Sequence, residues 1–360
     1  DLGISIGPEL VLPQILRWRK SLIFVQRWPN ERQRTMTSVG LVLGSGGLHA
    51  AAQHAGVLAA LAEVTGWDPR SADVVVGTSA GAITAVSLRA GLSAADLHAY
   101  YAGTPLSDNG KAIVDRATTP LSLNELPDSQ ASRRPASPLL VLREMCSTTR
   151  PRPVVVLAGL LPRGTRDGSS LGTRNAEIHP GSWPELPTWL CTVDLNSGKR
   201  VVLGRDDVNA TIGPAVQAST AVPGWFRPVD IDGQSLVDGG VHSTTNADLV
   251  AALGLDVVVI SSSKTVGGSV GSTADLGTLA RAWHGRTLRR EVQAIQRKGS
   301  AVLVLQPTTE ELAERIGSDR NDADLPEICE GARISALARL ALPEASRARQ
   351  LLSSTSESGR

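Results

Sequence analysis

Ser79 lies in Gly77-Thr78-Ser79-Ala80-Gly81, with a glycine two positions away on either side, directly after the run Ala72-Asp73-Val74-Val75-Val76. A serine on so cramped a bend between strand and helix presents its hydroxyl outward and keeps its backbone at a helix amino terminus, which suits a nucleophile in acyl transfer. Unpaired N–H groups and the partial positive charge of the helix end favour a developing oxyanion there. The competing reading is a structural turn, because glycine and serine are common. The valine run before the motif and the alanine-rich helix after it favour the nucleophile. Upstream, Gly44-Ser45-Gly46-Gly47 follows a short apolar run and has two candidate uses. It could cradle a phosphate, although it lacks the Gly-Lys-Ser/Thr and dinucleotide spacings. Beside a serine elbow, supplying backbone donors to an oxyanion is the better use. Downstream, Asp238 ends an apolar strand and is followed by Gly239 and Gly240. That spacing predicts either a plain turn or a carboxylate presented at the lip of a parallel sheet. Among the histidines, His242 is the best alternative base because it lies just beyond Asp238. His49 and His54 are expected to be surface or half-packed on the first helix.

These residues need elements to hold them. Gly40 to Leu43, the glycine loop and Ala50 to Leu61 read as strand, loop, helix, and Ala72 to Ala90 repeats that grammar. A βαβα order predicts a mostly parallel sheet with helices on its faces. Thr188 to Val193 and Lys199 to Leu203 flank Asn196-Ser197-Gly198 and predict a hairpin. Helices are predicted over Ile212 to Ser219 and Asn246 to Leu253, a buried strand over Asp256 to Ser261, and a basic surface helix over Thr278 to Lys298, interrupted at Gly285. Its Arg281, Arg286, Arg289, Arg290, Arg297 and Lys298 read as a solvated face, with contact to anionic lipid the lesser alternative. A last strand over Ala301 to Leu305 precedes closing helices over Thr308 to Ile316 and Glu327 to Leu342. The predicted organisation is an amino-terminal extension over 1–37, disordered or interfacial; a catalytic domain over 38–262 whose stretch 103–188 is an insertion or cover; helices and a strand over 263–345; and a polar tail over 346–360. The first methionine is Met36, so the preceding residues read as a flank or an extension.

Bulk composition narrows the function classes. Hydrophobic residues make up 41% and charged residues 20%, which is ordinary globular usage. Against 36 basic side chains stand 35 acidic ones, leaving no global field for nucleic acid; any membrane contact must be local and peripheral. No apolar run approaches the roughly 18 to 20 residues of a membrane span. Cys146, Cys191 and Cys329 form no metal-ligand spacing, and a reducing cytoplasm is the expected setting. Neither a cofactor nor a metal is expected.

In order along the chain, Gly-Ser-Gly-Gly, Gly-Thr-Ser-Ala-Gly and Asp-Gly-Gly closely resemble the patatin-like phospholipases, lipid acyl hydrolases that use a Ser-Asp dyad. Ala218 to Gly224, Val237 to Val241 and Asn246-Ala247-Asp248 support the likeness, which covers about residues 38 to 262. The resemblance implies a three-layer α/β/α fold, Ser79 as nucleophile and Asp238 as the base that takes its proton directly. It implies an oxyanion hole at Gly44, Ser45, Gly46 and Gly47, with the Gly46 and Gly47 amides joined by that of Ala80. Gly77, Gly81, Gly239 and Gly240 then support the motifs. The substrate it implies is a lipid ester. One departure is Leu48-His49-Ala50, where the family commonly has a small residue, arginine and glycine; this bears on head-group preference. Trp183, Trp189 and Trp225 border an acyl pocket or pack in the core. Two rival functions remain open at this level: a Ser-His-Asp esterase using His242 or His284, and a non-catalytic protein that binds a ligand through the glycine loop.

Overall fold

The computed structural model describes residues 37–122, 134–146, 152–267, 276–309, 311 and 324–357. The predicted extension over 1–37 and most of the predicted helix over Thr308 to Ile316 lie outside the described residues. The valine-rich runs form strands β1 (Val39–Leu43), β2 (Val74–Thr78) and β7 (Val257–Ser261), in which every residue is buried. Continuous apolar runs of this kind suit central parallel strands covered on both faces. The remaining strands are β3 (Thr188–Asp194), β4 (Arg200–Leu203), β5 (Val229–Ile231), β6 (Gln234–Asp238) and β8 (Ala301–Leu305). Their order is β5-β6-β3-β2-β1-β7-β8, with β4 paired to β3. The run from β3 to β8 is parallel, whereas β4 and β6 are antiparallel to β3 and β5 is antiparallel to β6. At the outer position, β8 alternates buried and half-buried residues.

Helices flank this mixed, mostly parallel sheet. They are α1 (Gly47–Thr65), α2 (Ala80–Arg89), α3 (Ala94–Ala102), α4 (Asp108–Val114), α5 (Pro138–Met145), α6 (Pro153–Leu160), α7 (Ser169–Ile178), α8 (Ile212–Ser219), α9 (Leu276–Gln296), α10 (Leu325–Ala341) and α11 (Ser346–Glu357). No described helix is long and apolar enough to cross a membrane. The chain passes from β1 through β2 to β3 on one side, then returns to β7 and β8 on the other side of β1. Connections therefore diverge around β1, and open α/β sheets place their ligands at the carboxyl ends of strands at such a point.

Four expectations need correction. Asp238 arrives on a strand antiparallel to its neighbour, not at the lip of a parallel one, because β6 is joined to β5 by the tight turn at Asp232-Gly233. Helix α9 runs through Gly285 without a break, anchored beyond it by buried Leu288, Glu291 and Ile295. The predicted polar tail is helical as far as Glu357, with Ala348 and Leu352 buried against the core. The stretch 103–188, read from the sequence only as an insertion or cover, holds the helices α4, α5, α6 and α7.

Candidate active site

Strand β2 ends at Thr78 and α2 begins at Ala80, so Ser79 alone makes the bend, at φ 56° and ψ −118°. A non-glycine residue with positive φ is strained by roughly 1 to 3 kcal/mol, and such strain persists only where the surroundings over-determine it. Here they do. The Ser79 N–H donates to Ser219 Oγ at 3.0 Å, and Ser219 Oγ donates to the Cys191 carbonyl at 2.8 Å. The flanking glycines are required by space: a Cβ at Gly77 would lie 2.6 Å from the Gly81 carbonyl, and one at Gly81 would fall onto the Leu43 carbonyl.

Strand register brings Asp238 to the same level. Thr78 pairs with Cys191, and the next residue of β3, Thr192, pairs with Asp238. The carboxyl is buried and accepts from the Gly240 N–H at 2.7 Å, and the Ser79 hydroxyl is near enough to help hold its pKa down. Burial pushes its pKa up to about 6, while those two donors and the charge of Lys264 hold it back. An ordinary carboxylate is a weak base, so a carboxyl near 6 is both stronger and still about nine-tenths ionised at pH 7. A cross-brace ties the two motifs together. Asn246 Nδ2 donates to the Ser243 carbonyl at 2.7 Å, to Thr78 Oγ1 at 3.1 Å and to the Gly239 carbonyl at 3.4 Å. Its Oδ1 accepts from Arg200, which grips Asp248 with both terminal nitrogens. The buried Glu291 carboxylate accepts from Ser243 Oγ, Thr245 Oγ1 and the Ala247 N–H, fixing the turn from the side of α9.

The glycine loop divides into two halves. Gly44 N–H donates to the Ser261 carbonyl at 2.9 Å and Ser45 N–H to the Thr244 carbonyl at 2.8 Å. Both amides are consumed in holding the loop, so neither serves as an oxyanion donor, and the expectation for these two is corrected. The Ser45 side chain lies beside Gly240, where a built Cβ would meet both Ser45 Oγ and Asp238 Oδ1. Gly46 and Gly47 open α1, and Ala80 opens α2; in a first turn no helical carbonyl reaches the N–H groups. Gly47 holds φ 68°, where a side chain would be strained, and a Cβ at Gly46 would strike the Ser263 hydroxyl. Ser263 Oγ in turn donates to the Ser45 carbonyl at 2.9 Å.

His54 is a structural member that sequence reasoning placed wrongly. It is fully buried, with Nε2 bonded to the Gly44 carbonyl at 2.8 Å and Nδ1 to Ser261 Oγ at 2.7 Å. A carbonyl only accepts, so Nε2 carries the proton and Nδ1 accepts from the serine. Burial lowers its pKa to about 4 against the opposing Gly44 bond, keeping it neutral. His49 is half-buried in the first turn of α1. His242 is exposed, with Arg200, Asp248 and Arg152 as its charged neighbours, and those of His284 are Lys264 and Arg281. Trp189 is buried in β3, Trp183 packs against the core and Trp225 points outward.

A strained serine at a helix start, a buried carboxyl beside its hydroxyl and two glycine amides at the opening of α1 form an arrangement suited to acyl transfer. A family model for patatin-like phospholipase matches residues 41–251, which span Ser79, Asp238 and the glycine loop. That match extends over more than half of the 360 residues. On motif order, sheet topology and family match together, the chain belongs to the patatin-like phospholipase family of lipid acyl hydrolases.

Proposed function

We propose that the protein cleaves fatty acyl esters of phospholipids or related lipids, with Ser79 as nucleophile and Asp238 as its base. The observation that carries this reading is the strained Ser79 set beside a buried carboxyl whose pKa is raised to about 6 by burial. In the first step Asp238 takes the hydroxyl proton while Ser79 Oγ attacks the ester carbonyl. The resulting oxyanion is received by the amides of Gly46, Gly47 and Ala80, each donor contributing about 3 to 4 kcal/mol by analogy with measured oxyanion holes. Protonated Asp238 returns the proton to the leaving alcohol, and an acyl-Ser79 ester remains. Water, deprotonated by Asp238, then releases the fatty acid and restores the serine. The Gly240 N–H keeps Oδ1 of Asp238 fixed, so the carboxyl needs little reorganisation between steps.

Labelling with a fluorophosphonate tests the assignment. Wild-type protein is expected to label at one serine, Ser79→Ala to lose labelling altogether, and Asp238→Ala to label slower by about 10²- to 10⁴-fold, the usual range for a general base. A panel of short-chain esters, lysophospholipids and diacyl phospholipids then ranks substrates. Labelling that survives Ser79→Ala, or that disappears in His242→Ala or His284→Ala with Asp238→Asn still active, would overturn the dyad in favour of a histidine-based esterase.

A further inference from the structure

Helices α5 and α6 pack against each other closely enough that a Cβ at Gly159 would touch Leu140 and Val141. Their inner faces, Leu140 on α5 and Val155 and Ala158 on α6, share one apolar cluster with Val237 and Val241. Those two valines bracket Asp238-Gly239-Gly240, so the pair sits on the strand and turn that carry the carboxyl. Two inner faces on one cluster place the outer faces side by side. Leu139, Leu142 and Met145 recur at three-residue spacing on the outer face of α5, and Leu157 and Leu160 do so on α6; each is half exposed or more. Trp225 extends the surface, because its neighbour Gly224 abuts Leu161 at the end of α6, and its ring lies under the Arg166 guanidinium at 5.0 Å. A contiguous exposed apolar patch of this kind marks an interaction surface.

Charge identifies the occupant. Among the described residues from 134 to 166 there are five arginines (134, 143, 152, 163 and 166) and a single acid, Glu144. Glu144 is turned inward and paired with Arg152, so neither α5 nor α6 presents an exposed carboxylate, and Asp167, just beyond Arg166, accepts from Ser169. Arg143 and Arg163 are exposed beside the leucines. Apolar side chains ringed by arginine, with a tryptophan at the margin, match the boundary layer of a bilayer whose head groups are anionic. We propose that the outer faces of α5 and α6, with Trp225, seat the protein on an anionic lipid surface next to the site that holds Asp238. This inference rests on the lipid-hydrolase reading above, in that the docked surface is also where the substrate resides.

The test uses the full chain carrying Ser79→Ala, so that lipid is bound and not consumed, and vesicles of phosphatidylcholine with or without phosphatidylglycerol. Flotation is expected with the anionic vesicles and weaker flotation with the zwitterionic ones. Adding Leu142→Ser and Leu157→Ser is expected to lower partitioning at least about tenfold, since each buried leucine accounts for roughly that factor. Arg143→Gln with Arg163→Gln, or raised salt, is expected to abolish the preference for anionic vesicles. In an otherwise wild-type background the leucine substitutions are expected to leave the unfolding midpoint and fluorophosphonate labelling unchanged, which separates docking from folding and from chemistry. Flotation that is unaffected by the leucine substitutions overturns the proposal. So does failure to float by a protein that instead elutes as a dimer dissociated by those substitutions. Should Ser79 prove not to be the nucleophile, labelling is absent or survives Ser79→Ala while flotation stands, so the two readings fail separately.

Discussion

At the scale of single residues, the site depends on how far burial raises the Asp238 carboxyl, and this fixes the sign of the pH response. As the proposed base, Asp238 must be ionised, so kcat/KM for a soluble ester is expected to rise with pH to a half-maximal value at about 6 and to level off above it. An unburied carboxylate would give a midpoint near 3.8, and a profile already flat at pH 5 would contradict the burial argument. Because Lys264 opposes the shift, Lys264→Met is expected to move the midpoint to higher pH without abolishing turnover. The bend at Ser79 and the turn after Asp238 were legible in the sequence because tight backbone geometry selects glycine, and glycine spacing is a one-dimensional record. The donor set was less so. What consumes the Gly44 and Ser45 amides is a pair of carbonyls, at Ser261 and Thr244, about two hundred positions away, and no local pattern announces them. His54 was misplaced for the same reason: its partners Gly44 and Ser261 come together only when β1 and β7 pair.

At the scale of elements, the amino terminus of α1 carries Gly46 and Gly47, so the packing of α1 sets where those amides point. Helix α10 lies against α1 so closely that a Cβ at Gly56 would fall onto the Cys329 carbonyl and come within 2.9 Å of the Arg333 nitrogen. Gly56→Ala is therefore expected to destabilise: the overpacking cost of about 1 to 3 kcal/mol exceeds the gain in helix propensity of about 1 kcal/mol or less. Gly285, inside α9, has no neighbour within 4 Å of a built Cβ, so Gly285→Ala is expected to stabilise by about 0.5 to 1 kcal/mol. Denaturant unfolding of the two variants measures both signs, and equal effects would refute the packing argument. The sequence marked the buried strands and helices α1, α2, α8, α9 and α10, because apolar runs and helical spacing are local. It misread Gly285 as a break because tertiary anchoring by Leu288, Glu291 and Ile295 outweighs one unfavourable residue. The direction of β6 was likewise invisible, since pairing polarity is a property of the sheet and not of the strand.

At the scale of the whole molecule, two fully buried groups titrate with opposite effects on stability. Asp238 has a folded pKa of about 6 against an ordinary 3.8, so the fold holds its proton more tightly than the unfolded chain. Its contribution is present below pH 3.8 and is lost as pH rises through 6, leaving a cost of about 3 kcal/mol at neutral pH. His54 is lowered from 6.5 to about 4, so its contribution is present above pH 6.5 and is lost as pH falls through 4, again about 3 kcal/mol. Between pH 4 and 6 the two slopes largely offset each other. Asparagine at 238 keeps an oxygen for the Gly240 N–H and removes the buried charge. Asp238→Asn is therefore expected to be inactive yet more stable than wild type by up to about 3 kcal/mol at pH 8, an instance of stability given up for function. The advantage should shrink as pH falls and vanish near pH 4, where wild-type Asp238 is itself protonated. With that compensation gone, the variant's own stability should fall more steeply from pH 6.5 to 4 than the wild type's, as the His54 penalty stands unopposed. Denaturant titrations of both proteins across this range measure the difference directly. A variant less stable than wild type at pH 8 would mean that the ionised carboxyl is fully compensated by its donors, and that the strength of the base has some origin other than burial.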